Sequence, residues 1–233
     1  MLVYGKQVAK EASRAGVRPK KVWCKRTIYD FAKGIFPNSE IRVVHPKIIS
    51  SICKSDEHQG IAFEIDVRMK KIHDIEIGLD SCIVLLDRVQ DVGNIGNIIR
   101  TSEFFGATCI VISKEQSPDI TPAMIKSSAG AFFHIPVIKE KSEELIKFAK
   151  NRGFKIYSFD LRAKTNAKDT KFELPAVLCF GGEERGLSEK VLELSDVVVK
   201  ISGYGKTESL NVSSAVAASF GILTKSLYNK SSP

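Results

Sequence analysis

What most constrains this chain is a series of short apolar runs, IVLL (83–86), CIVI (109–112), KIYSF (155–159), AVLCF (176–180) and VVVKI (197–201), separated by longer amphipathic stretches. Runs of this length, rich in β-branched and aromatic side chains, read as strands buried on both faces. Helical periodicity fills the gaps, notably over 96–105, 141–152 and 211–228. Strands alternating with helices predict a mostly parallel sheet covered on both sides.

The first part of the chain alternates on a smaller scale. Apolar spacing predicts helices over 4–15, 27–34 and 46–54 and strands over 20–24, 41–44 and 61–65. This is a small α/β module, residues 1–66. The charged stretch 67–79 reads as a linker, and 80–233 as a second, larger domain.

Composition narrows the class. With 43% hydrophobic residues the chain can build a core, and its apolar runs are too short and too often interrupted to span a membrane. The N-terminus MLVYGKQVAKEASRAG carries charge throughout and shows no apolar core with a cleavage site, so a cytoplasmic protein with no membrane partner is expected. Cys24, Cys53, Cys82, Cys109 and Cys179 are odd in number and form no C-x-x-C pair. They read as reduced core residues. The histidines, His45, His58, His73 and His134, lack ligand spacing, and no metal is expected.

The net charge of +8 is uneven: residues 1–66 hold 12 Lys+Arg against 7 Asp+Glu, whereas 67–233 hold 23 against 20. Basic density peaks at Arg14, Arg18, Lys20, Lys21, Lys25 and Arg26, with Trp23 and Tyr29 interleaved. Cations beside aromatic rings suit a polyanion whose bases can stack, such as RNA. A solvated lysine-rich face with Trp23 in the core accounts for the cluster equally well.

Three segments carry more than packing requires, and each follows a strand at its C-terminal end, where open α/β sheets bind ligands. In DRVQDVGNIGNIIRTSEFFGA (87–107), Gly93 and Gly96 allow a tight turn into a helix, Asn94 stands near the helix start as a cap, and Arg100 lies further in. Flanked by Ile98, Ile99 and Phe104, Arg100 calls for an anionic partner, a ligand or a buried ion pair. In LCFGGEERGLS (178–188) a strand runs into Gly181 and Gly182, followed by the carboxylate of Glu183. In ISGYGKTESLNVSSAVAASFGIL (201–223) a loop leads through Ser209 and Asn211 into a helix. GKT at 205–207 is not a P-loop, because the required earlier glycine is Lys200, and no turn contains G-x-G-x-x-G.

Together the three segments resemble the motifs of the SpoU/TrmH family of RNA ribose 2'-O-methyltransferases, in the SPOUT superfamily. N-x-G-x-x-x-R matches Asn94, Gly96 and Arg100; G-x-E-x-x-G matches Gly181, Glu183 and Gly186; S-L-N-V-S stands intact at Ser209–Ser213. The likeness runs from about residue 80 to 228. Two departures are visible: Ser202 and Gly203 stand where the family has Pro-Met, and Gly182 where it has Asn or Ala. Residues 1–66 resemble the family's N-terminal substrate-binding domain, which is related to small ribosomal RNA-binding proteins, with YGKQ near the start and HQGIAFEI (58–65) near the end.

The resemblance implies an α/β SPOUT catalytic domain with a parallel sheet and a deep trefoil knot, preceded by a small α/β RNA-binding domain. It implies S-adenosylmethionine as cofactor, held through backbone near Gly181, Gly182, Gly186, Ile201 and Leu210, and a homodimer with the active site near its interface. The family assigns proton removal to the arginine that matches Arg100. Guanidinium groups keep their proton, so Arg100 fits better as a phosphate clamp and alkoxide stabiliser, with Asn94, Glu183, Ser209 and Asn211 orienting it and the ribose. Structured RNA is the expected partner, with large-subunit ribosomal RNA favoured. The alternatives are a tRNA ribose 2'-O-methyltransferase and a catalytically silent RNA-binding or ribosome-assembly factor. The failed nucleotide motifs weigh against a nucleotide-dependent enzyme.

Overall fold

The computed structural model describes residues 1–67 and 69–228, with side chains to 224. The chain forms two compact units that are not collinear with its sequence. One comprises Met1–Arg68 with Ile120–His134, the other Met69–Asp119 with Ile135–Pro233. The sequence division at 66/67 and 79/80 anticipates no excursion at 120–134.

The first unit holds β1 (Leu2–Tyr4), α1 (Lys6–Arg14), β2 (Lys21–Cys24), α2 (Tyr29–Ile35), β3 (Glu40–Val43), α3 (Pro46–Cys53) and β4 (Ile61–Glu64). Its sheet runs β1-β4-β2-β3, antiparallel except for β2 beside β3. The stretch 4–15, read as one helix, divides at Gly5, whose φ of 108° ends β1 and starts α1. Glycine holds this conformation without steric penalty. Val22 and Cys24 of β2 join Val8, Ala9 and Ala12 of α1 in the core, and Ile125, from the short helix Pro122–Ser127, is fully buried among them. His134 Nε2 lies 2.9 Å from Glu11 Oε2, so the same segment is also tied down through a polar contact.

The second unit is a seven-stranded sheet made of β5 (Cys82–Asp87), β6 (Cys109–Ser113), β7 (Val137–Glu140), β8 (Lys155–Phe159), β9 (Thr165–Asn166), β10 (Ala176–Gly181) and β11 (Val197–Lys200), in the order β7-β6-β5-β10-β8-β11-β9. Every pairing is parallel. The helices are α4 (Val92–Phe104), α6 (Ser142–Lys150), α7 (Glu189–Leu194) and α8 (Val212–Tyr228), with α5 being Pro122–Ser127 of the first unit. Ile83, Leu85, Val111, Ile156, Val177 and Cys179 pack against Leu145, Ile146 and Ala149 of α6 and Val191 of α7. On the alternate residues Val84, Leu86, Ile110, Ile112 and Leu178 are fully buried, as two-faced burial of a parallel sheet requires.

The stretch 67–79 is less of a free linker than its charge implies. Ile72 is buried in the core of the second unit, with Ile75 and Ile77 packed against it. All five cysteines are free thiols, and burial pushes Cys82, Cys109 and Cys179 up to about 12. No helix among the described residues is long and apolar enough to cross a membrane.

Candidate active site

The parallel strands end together, and the loops leaving β8, β10 and β11 enclose a cleft of about 520 Å³. One wall is Phe159–Arg162, after β8; a second is Phe180–Gly186, at the end of β10; the third is Lys200 and Ile201 with Ser209–Val212, leading into α8, joined by Ala215. A cavity of this size, with mixed apolar and polar walls at strand C-terminal ends, is the usual shape of a small-molecule site.

Close packing explains its glycines. A Cβ on Gly181 would stand 2.1 Å from the carbonyl carbon of Gly186, and one on Gly182 would stand 2.3 Å from the carbonyl oxygen of Arg88. The backbone itself occupies the space a side chain would need: the 181–187 turn folds onto itself, with Gly186 N donating to Gly182 O at 2.8 Å, while both glycines still face the cleft.

The three motifs meet through side chains. Asn94 Nδ2 donates to Glu183 Oε1 at 2.5 Å, and Asn94 Oδ1 accepts from Asn211 Nδ2 at 3.0 Å. Asn211 also starts α8, its Oδ1 accepting from the backbone N–H of Ser213 at 2.9 Å. Asn94 does not cap α4. That role belongs to Asp91, whose Oδ1 accepts from Asn94 N at 2.6 Å, and the helix therefore begins four residues before the expected start at 96, with Gly93 and Gly96 inside it.

Of the predicted cofactor residues, Gly181, Gly182, Gly186, Ile201 and Leu210 all line the cleft, as do Glu183, Ser209 and Asn211. Asn94 stands behind them, bonded to two of the lining residues. Arg100 lies elsewhere: it is on the exposed face of α4, outside the cleft lining, while Ile98 and Ile99 point into the core. A buried ion pair is thereby ruled out. Arg100 makes no hydrogen bond or ion pair with another described residue. In the first unit Arg14, Arg18, Lys20, Lys21 and Arg26 are exposed, and Lys25 and Trp23 are half-buried. Arg14 pairs with Glu11 at 2.8 Å, and Arg26 lies over the Tyr29 ring.

Sequence reading missed the wall after β8. Asp160 accepts from Arg162 through the main chain and the guanidinium, at 2.9 to 3.0 Å, and these bonds hold its carboxyl below the usual carboxylate range. The clue was available, since β8 ends in the same layer as β10 and runs straight into DLR. Ser202, one of the departures from the family pattern, accepts from Asn166 Nδ2 at 2.6 Å and so fastens its loop to β9.

Fold and site thus define a parallel α/β domain with a ligand cleft closed by three post-strand loops. Residues 81–220 match the SpoU rRNA Methylase family, and the chain belongs to this family of RNA methyltransferases. It is 42% identical over 149 residues to an uncharacterized tRNA/rRNA methyltransferase of Archaeoglobus fulgidus, a match covering 64% of this chain and 66% of that protein. The fold is shared with the SpoU methyltransferase AviRb from Streptomyces viridochromogenes, solved with AdoMet (TM-score 0.85, 24% identity, 100% of this chain and 91% of the other). It is shared too with an RNA 2'-O ribose methyltransferase (TM-score 0.85, 17% identity, 98% and 89%).

Proposed function

We propose that this protein transfers the methyl group of S-adenosylmethionine to a ribose 2'-hydroxyl in structured RNA, with large-subunit ribosomal RNA the favoured substrate. The observation that carries this reading is the link Glu183–Asn94–Asn211, which joins one residue from each motif at the edge of the cleft. The residues fit the cofactor. Phe159, Ile201 and Leu210 offer apolar surface to a purine, and Glu183 offers a carboxylate to a cationic ligand.

Bound there, S-adenosylmethionine supplies a methyl group already activated by a sulfonium. The chain's own task is to align the ribose hydroxyl and manage its proton. Arg100, exposed and unpaired among the described residues, has all its donors free to hold an RNA phosphate and steady the forming alkoxide. Asn94, Glu183, Ser209 and Asn211 orient the ribose. The basic cluster from Arg14 to Arg26 supports a role for the first unit in gripping RNA.

A homodimer is part of the reading. Phe104, 80% exposed, lies one helical turn beyond Arg100 on α4, so a second copy covering it would sit beside Arg100. The knot belongs to it as well, supported by family membership.

The test is methyl transfer from labelled S-adenosylmethionine to ribosomal RNA and to tRNA, with 2'-O-methyl sites mapped in cells with and without the gene. Loss of a ribosomal site is the expected result; loss of a tRNA site instead would replace the substrate. Calorimetric titration that shows no S-adenosylmethionine binding would favour the silent RNA-binding factor.

A further inference from the structure

Arg88 follows β5 directly and has a φ of 60°, a left-handed conformation that a branched or long side chain adopts only at a cost. Its surroundings hold it there. Asp87, 2% exposed, accepts from Ser142 Oγ at 2.7 Å and from Ser188 N at 2.8 Å, and its carbonyl accepts from Gly182 N at 3.1 Å. The Arg88 carbonyl in turn occupies the space where a Gly182 side chain would be.

The left-handed turn brings the Arg88 side chain, only 20% exposed, to the far limb of the 181–187 turn. There Nη2 donates to Gly186 O at 3.1 Å and lies 3.4 Å from Arg185 O. Nε is buried without a hydrogen bond, 3.7 Å from Asp87 Oδ2. The strained φ and the missing Nε hydrogen bond oppose this arrangement; the ion pair with the buried Asp87 carboxylate and the bonds to the turn hold it in place. Both ends of the turn are therefore tied to the end of β5: the near end through Gly182 N to Asp87 O, the Arg185–Gly186 limb through the Arg88 guanidinium, and the residue after the turn through Ser188 N to the Asp87 carboxylate. Six residues of that turn, Gly181–Gly186, form one wall of the cleft.

The geometry points to Arg88 as a positioning residue of the cofactor cleft, a strap that fixes the Arg185–Gly186 limb and so sets the affinity for S-adenosylmethionine. This rests on the cofactor reading above. Arg88 is absent from the cleft lining and acts through the turn rather than by touching the ligand.

The substitution Arg88→Gly separates the two effects. It relieves the strained φ and removes the strap, so fold stability and cofactor affinity should move independently. Calorimetric titration of the full chain with S-adenosylmethionine should show Kd raised on the order of tenfold, as expected for losing one or two such hydrogen bonds, with Tm changed by no more than about 4 °C, because relief of the strained φ offsets the ion pair lost to Asp87. Amide exchange in the ligand-free protein should speed up at residues 183–187. In methyl transfer, KM for S-adenosylmethionine should rise while kcat changes by less than about threefold, since the loss is one of ground-state binding. Arg88→Lys should recover part of the affinity, because an ammonium reaches one carbonyl but lacks the guanidinium fork. Equal Kd in the wild-type protein and Arg88→Gly would overturn the proposal alone. A fall in Tm that accounts for the loss of affinity would reduce Arg88 to a structural role. No binding by the wild-type protein would overturn the cofactor reading first, and the proposal with it.

Discussion

Asn94 donates its side-chain amide to the Glu183 carboxylate at 2.5 Å, across a sequence separation of 89 residues. The same side chain accepts from Asn211, so one asparagine reads both its neighbours through opposite ends of its amide. Asn94→Ala should lower methyl transfer by about 10–100-fold through loss of alignment, while destabilising the fold by only about 1–2 kcal/mol. Asn94→Asp keeps the acceptor for Asn211 but sets a second carboxylate against Glu183, and should be at least as damaging. Initial rates and thermal melts on both variants check this; activity that tracks Tm would contradict it.

Arg100 should behave differently from the cleft residues. Arg100→Ala should reduce methyl transfer by about 10²-fold or more, the loss typical of a group that stabilises developing charge. Its position outside the cleft lining predicts less than about a twofold change in S-adenosylmethionine Kd. Single-turnover rates alongside calorimetry distinguish the two, and normal turnover in this variant would sink the assignment.

The wall after β8 should make stability depend on pH in a defined direction. Asp160 has a depressed pKa in the folded protein because Arg162 hydrogen-bonds its carboxylate. Such a group adds stability above its unfolded pKa, about 3.9, and that contribution disappears as pH falls through the lower folded value. At pH 7 Asp160→Asn should melt about 2–4 °C below wild type, the shift expected for roughly 1 kcal/mol in a chain of this size. Between pH 5 and still lower pH the gap should close. A gap that stays constant down to about pH 2 would show that the effect is not electrostatic.

Ile125 comes from the excursion 120–134 yet is fully buried in the core of the first unit. Ile125→Ala should destabilise that unit by about 2–5 kcal/mol, the usual range for such a truncation. Trp23 is the single tryptophan of the chain and lies in β2, so its fluorescence in a denaturant titration reports on this unit directly.

The five apolar runs of the second part all became strands of the main sheet, with ends within a residue or two of the predicted ones. Short runs of β-branched residues buried on both faces have few alternatives. The elements that escaped notice carry weaker local patterns. β7 is VIKE, whose two lysine and glutamate positions hide its buried half, and β9 has only two residues. The spacing of the three motifs pointed to Asn94, Glu183, Ser209, Asn211 and the glycines. It could not show that Asn94 serves as the link and Asp91 as the cap, because both types suit a helix start and only the packed neighbours choose between them.

By itself the sequence determined the alternation of strands and helices, the strand ends at which a ligand site forms, and the residue types gathered there, since each follows from local periodicity and side-chain chemistry. Only the tertiary structure decided that Ile125 belongs to the first unit's core and that a side chain at Gly181 or Gly182 would collide with neighbouring backbone. It also decided that Arg100 faces solvent and that Arg88 reaches the turn after β10. Each of these depends on contacts between segments far apart in the chain. Such contacts are set by how whole elements pack, and no local pattern encodes them.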